Sequence, residues 1–197
     1  MYEYEVVNAT LKLLRDMFKL QPGESIAITY DTESDEHVVE ATAQAAVILG
    51  AKPFVVKIAA PAGGKAGDKD MPMEALINGI KSCDAWVEYN TKLIFYSTVY
   101  DKIVEDPNNR PRYMNQNGVT AEVLIRNIGK VDNVLLNKFI MAMTDYTKKT
   151  KHMRVTSELG MDIEFDNVPG REYLVADGFV RENEIKMFPT NCMGSRV

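Results

Sequence analysis

Residues 25–58, SIAITYDTESDEHVVEATAQAAVILGAKPFVVKI, run from one β-favouring stretch through a helical pattern into a second β-favouring stretch. Strands are expected over 25–30 and 54–58. The helix between them carries Val38, Thr42, Ala45 and Leu49 on one face, and Gly50 suits a left-handed cap at its end. Two strands joined by one helix of this length make a βαβ unit, so the strands are parallel and the crossover right-handed.

The flanking segments extend that pattern. Tyr4, Val7, Leu11, Leu14 and Phe18 fall at steps of three and four, an amphipathic helix that Pro22 and Gly23 stop and that needs a sheet or helix to cover it. Residues 60–72, rich in glycine and proline, read as an exposed, lid-like loop. It is no phosphate cradle: the glycine needed five places before Gly64 is Ala59, and Ala66 stands where Ser or Thr should follow Lys65. A short helix over 73–81 leads into AWVEY, in which Trp86 reads as a core or interface residue. LIFYSTVYDKIVED, 93–106, is helix-compatible up to Asp106 and Pro107, and a short strand is expected over 112–115. Thr120 is a plausible N-cap ahead of Val123, Leu124 and Ile128. Leu135, Phe139, Met143 and Tyr146 form a further stripe, with Lys148, Lys149 and Lys151 favouring the negative end of that helix.

After residue 150 the helical period disappears. β-favouring runs broken at 158–160, 168–170 and 177–178 suggest an antiparallel hairpin or meander. The expected fold is therefore α/β, a mostly parallel, doubly wound sheet of Rossmann-like or flavodoxin-like type. Residues 1–150 form its three-layer domain and 151–197 a β-rich extension.

Charge narrows the partners. With 28 acidic against 23 basic residues the net charge is -5, which leaves no basic field for a phosphate backbone, so no nucleic acid is expected. No apolar run nears the roughly 20 residues that span a bilayer, and Glu3 and Glu5 interrupt any export signal, so the expectation is a cytoplasmic protein without a membrane partner. Cys83 and Cys192 are isolated and read as free thiols.

Candidate chemistry centres on the turn after the first strand. Asp31, Glu33 and Asp35, with Glu36, either draw a cation or amine to the crevice at the strand end, or serve the helix start, where Ser34 or Asp35 caps and the acids favour the positive end of the dipole. Capping alone explains every acid there. A dinucleotide is excluded by the absence of GxGxxG and by carboxylates that would repel a pyrophosphate. The only histidines, His37 and His152, lie in different elements with no second ligand at helical or hairpin spacing. HExxH and GxSxG are absent, so no catalytic residue and no metal ligand is assigned.

The order of NATLKLLRDMFKLQPGESIAITYDTESD, VVEATAQAAVILGAKP, VTAEVLIRNIG and MRVTSELGMDIEFD, followed by KMFP, resembles the amino-terminal half of the thermophilic metallo-aminopeptidases, the aminopeptidase T and S group. The iron-dependent 2,5-dihydroxypyridine dioxygenases are similar in the same places. The resemblance runs to about Pro189. It implies an α/β domain that supports the fold and subunit pairing, and a divalent metal (Zn, Co or Fe) held only by a carboxyl-terminal domain that is missing here. Two functions follow as expectations. One is a scaffold and association domain, dimeric and catalytically inactive on its own, without a cofactor in this chain. The other is a small-molecule-binding or enzymatic domain using the strand ends near Asp31, Ala60 and Tyr89.

Overall fold

In the computed structural model five strands form one parallel sheet in the order β2-β1-β3-β4-β8, with β1 Ser25–Asp31, β2 Lys52–Ile58, β3 Ala85–Glu88, β4 Arg112–Asn115 and β8 Ile185–Lys186. The structure describes residues 3–170, 173–180, 185–186 and 193–195; Phe188, Pro189 and Cys192 lie outside them.

Both faces of the sheet are covered, which explains why β1 alternates so weakly in the sequence. Ile26 and Ile28 join Ala85, Val87 and Met114 beneath α1 (Glu3–Lys12), α2 (Glu36–Ile48) and α5 (Ala121–Leu124). Ala27, Trp86 and Tyr113 turn to the other face, under α3 (Met73–Lys81) and α4 (Thr98–Val104). A parallel strand buried on both sides needs apolar residues at odd and even positions alike. Trp86 is fully buried, as its place in AWVEY suggested, and its indole N–H donates to Thr29 Oγ1 at 2.9 Å.

Several helix ends follow the sequence. Asp35 caps α2 by accepting from His37 N at 3.0 Å, and Thr120 caps α5. At the far end of α2, Gly50 has φ +76°; Gly50 N donates to Val47 O at 2.9 Å and Ala51 N to Ala46 O at 2.9 Å, a Schellman pair. A Cβ at Gly50 would also meet Pro22 Cβ at 3.3 Å. Gly50→Ala is therefore expected to lower stability by about 1 kcal/mol, read as a shift of the urea midpoint at constant slope.

Other expectations are corrected. Of the expected stripe on the first helix, Leu14 and Phe18 are buried and Val7 and Leu11 pack against the core, but Tyr4 is 90% exposed and the fully buried face is Val6, Ala9, Thr10, Leu13, Leu14, Met17 and Phe18. A π turn at Leu13–Met17, closed by Phe18 N to Leu13 O at 3.0 Å, widens the last turn of this helix. The helix expected from residue 93 begins only after its Ser97 cap, because Tyr96 holds φ +67° and cannot continue a right-handed helix. The loop over 60–72 is tied down: a 3-10 segment, Gly64–Asp70, places the Asp68 carboxylate against Thr98 N at 3.0 Å and Thr98 Oγ1 at 2.6 Å.

The β-rich extension is a hairpin plus nonlocal pairs, not a meander. β5 (His152–Thr156) and β6 (Asp162–Asp166) pair antiparallel, but β7 (Tyr173–Val175) pairs with β9 (Met193–Ser195), while β8 returns to the main sheet beside β4. α6 (Asn133–Lys149) buries Asn133, Ile140, Thr144 and Thr147. Its Leu135, Phe139, Met143 and Tyr146 stripe stands exposed, so the cover that such a stripe needs is not supplied by the described residues. No helix among the described residues is long and apolar enough to cross a membrane.

Candidate functional site at the strand ends

The chain moves from β1 outward to β2 and then back across to β3, so the strand order reverses between β1 and β3. Open α/β sheets hold ligands at the carboxyl ends of strands beside such a reversal. Here those ends are Asp31 on β1 and Glu88 on β3, with Asn115 and Gln116 at the end of β4.

Asp31 is completely buried and its acceptors are in use. Oδ1 takes Glu33 N at 2.9 Å and Ser34 Oγ at 3.0 Å; Oδ2 takes Lys92 N at 2.7 Å. The single Ser34 hydroxyl proton is shared between Asp31 Oδ1 and Tyr89 O at 3.1 Å, so the turn after β1 and the loop after β3 are stitched directly together. Glu33 faces Lys92 Nζ at 3.4 Å on the surface. Asp35 serves two helices, with Oδ1 on His37 N and Oδ2 on Ala121 N at 2.9 Å. Glu36 pairs with Lys57. The three candidates Asp31, Glu33 and Asp35 thus share one turn, and each spends its carboxylate on backbone N–H groups, a hydroxyl or a lysine.

Glu88 is the residue that the sequence reading passed over. It is fully buried; Oε1 accepts from Ile94 N at 2.7 Å and Phe95 N at 3.3 Å, and Oε2 from Tyr113 OH at 2.5 Å. Burial pushes its carboxyl up to about 7, against the pull of the tyrosine and the two amides. Burial likewise raises the Tyr113 and Tyr89 phenols, and Tyr89 OH meets Thr42 Oγ1 at 2.9 Å. The available signal was a lone acid inside the apolar run AWVEY. Around it the Asn90 amide and the Gln116 carbonyl are buried without a partner among the described residues, while Asn117 Nδ2 ties the loops by donating to the carbonyls of Asn90 and Thr91.

No group of three or more His, Cys, Asp or Glu among the described residues is placed to hold an ion. His37 is exposed on the first turn of α2. His152 does have acidic neighbours at hairpin spacing, contrary to expectation: Nδ1 lies 2.8 Å from Asp166 Oδ1 and Nε2 lies 4.0 Å from Glu164, a pairing set by the β5–β6 register. The two nitrogens point to different carboxylates on an exposed hairpin, and Cys83 is a buried free thiol raised by burial.

Sheet order and helix layers define a doubly wound α/β protein of flavodoxin-like strand order. The family model for NicX, 2,5-dihydroxypyridine 5,6-dioxygenase, matches residues 6–192, and the chain belongs to that family. Of the two groups that the sequence resembles, the dioxygenases therefore come first. Among solved structures, 2,5-dihydroxypyridine dioxygenase from Pseudomonas putida is similar with a TM-score of 0.71 at 17% identity, over 97% of this chain and 55% of that one. Wild-type AmpT from Thermus thermophilus is similar with a TM-score of 0.54 at 12% identity, over 96% of this chain and 60% of that one. The chain spans a little over half the length of these structures. No curated protein matches it.

Proposed function

We propose that this chain is a scaffold and association domain of a 2,5-dihydroxypyridine dioxygenase-like protein, pairing as a dimer and inactive on its own. The observation that carries the reading is the uncovered apolar surface of α6 and the β5–β6 hairpin. Leu135 and Phe139 are 64% and 54% exposed, and Val155, Ile163 and Phe165 on the hairpin are also exposed. A two-stranded hairpin is marginal by itself, and apolar patches of this kind mark surfaces that another protein covers. A second copy of the chain is the occupant proposed here. Inactivity is supported by the donor set: a divalent metal such as Zn, Co or Fe would need ligands that the described residues do not bring together.

Sedimentation equilibrium at micromolar concentration tests the association. A dimer is expected, and Leu135→Glu with Phe139→Glu is expected to weaken it at least 100-fold without loss of helical signal, since two charges would enter an apolar contact. A wild-type chain that remains monomeric at about 100 μM would overturn the association role. Added iron, cobalt or zinc is expected to give neither ring cleavage of 2,5-dihydroxypyridine nor release of amino acids from peptides; metal-stimulated turnover by the purified chain overturns the inactivity. The alternative of ligand binding at the strand ends has less support, because Asp31, Ser34 and Asn117 close that crevice with direct loop-to-loop bonds.

A further inference from the structure

The register of the β5–β6 hairpin sorts its side chains by chemistry. Met153 against Phe165 and Val155 against Ile163 share one side, while His152, Arg154 and Thr156 meet Asp166, Glu164 and Asp162 on the other. An antiparallel pair alternates in this way when one face lies on a core. Here β6 is exposed at all five positions and β5 at four of five, so the apolar side lacks that cover among the described residues. The base of the hairpin is fixed. Asn167 Nδ2 donates to Thr147 O at 2.7 Å and to Thr150 O at 3.1 Å, and only Thr150 and Lys151 separate α6 from β5. The hairpin is thus an arm fastened to the carboxyl end of α6, while Leu135, Phe139, Met143 and Tyr146 of the same helix stay exposed.

We infer that the arm of one copy lies along the α6 stripe of a second copy, and that the exchange is reciprocal about a two-fold axis. This rests on the pairing proposed above and specifies which surfaces meet. The lengths agree: the rise from Leu135 to Tyr146 is about 17 Å, and a five-residue strand also spans about 17 Å. Charge agrees as well. α6 carries Lys138, Lys148 and Lys149 against Asp145, and these lysines make no ion pair among the described residues. Residues 152–166 carry four acids against Arg154 and His152. Opposite net charge draws arm to helix, whereas helix against helix or arm against arm sets like charge on like, so the exchanged contact is favoured over the other two. A two-fold axis makes the contact twice and covers both stripes and both arms.

The experiment mixes two variants of the full chain in sedimentation equilibrium. One carries Leu135→Glu with Phe139→Glu on α6, the other Val155→Lys with Ile163→Lys on the arm; all four side chains are exposed, and far-UV circular dichroism checks that the fold is kept. Neither variant alone is expected to dimerise at micromolar concentration, because both contacts of its homodimer are spoiled. The equimolar mixture is expected to form a one-to-one dimer at least tenfold tighter than either variant alone, since one exchanged contact is then wild type on both sides and the other sets lysine against glutamate. Helix-on-helix or arm-on-arm pairing gives no such recovery, as every contact would still hold one altered face. A second readout avoids charged variants: in a Cys192→Ser background, chains with Phe139→Cys and chains with Ile163→Cys are expected to form at least fivefold more intermolecular disulfide when mixed than either does by itself. An arm variant that dimerises as wild type does, a mixture that stays monomeric while wild type dimerises, or cysteine chains that gain nothing on mixing would each overturn the exchange and leave the pairing standing. A wild-type chain monomeric at about 100 μM overturns both.

Discussion

Asp31→Ala is expected to lower the free energy of unfolding by about 4 kcal/mol, the largest single effect at the strand-end turn. The substitution strips the acceptor from Glu33 N in the turn after β1 and from Lys92 N in the loop after β3, and leaves Ser34 Oγ only the Tyr89 carbonyl. Each donor left unpaired away from water costs about 1 to 3 kcal/mol. Asp31→Asn keeps one acceptor oxygen but sets an amide NH₂ against a donor, so an intermediate loss is expected. Urea unfolding measures both. A loss below about 1 kcal/mol for Asp31→Ala would show that the turn stands without this carboxylate. The ligand-binding reading of Asp31, Glu33 and Asp35 would then regain its force.

Glu88 sets the second large effect, on pH dependence. Its carboxyl holds its proton in the folded chain to about pH 7, whereas the same group in the unfolded chain lets go near its ordinary value of 4.5. Between those values the folded state binds more protons, so the stability contributed by this residue is full below 4.5, falls as pH rises, and is lost above 7. The separation corresponds to about 3 kcal/mol. Glu88→Gln, neutral at every pH, is expected to flatten this slope between pH 5 and 7 while keeping an acceptor for Ile94 N and Phe95 N. Chemical denaturation across that range in both proteins checks it. An unchanged slope in the variant would place the titration on another group.

The effects at Asp31 and Glu88 show why part of the site was readable from the sequence and part was not. The acidic turn was legible because caps and dipole preferences act over three or four residues: Asp35 on His37 N is such a local contact. The same Asp35 also reaches Ala121 N, 86 residues away, and no local rule announces that bond. Glu88 lies in a strand whose pattern said only that it was apolar; its role comes from Tyr113 on β4 and from a loop that Tyr96 diverts from helix. The acidic partner of His152 was missed for a related reason, since hairpin register, not spacing along the chain, sets His152 against Asp166.

By itself the sequence determined what short-range physics controls: the βαβ unit at 25–58, the caps at Asp35, Thr120 and Gly50, the buried Trp86, and the acid balance of the chain. Only the tertiary structure decided which strand β8 joins, that a π turn ends the first helix, and that the α6 stripe finds no cover among the described residues. Strand order and the covering of faces depend on groups distant along the chain, and their loop-closure entropy and packing leave no mark on local periodicity.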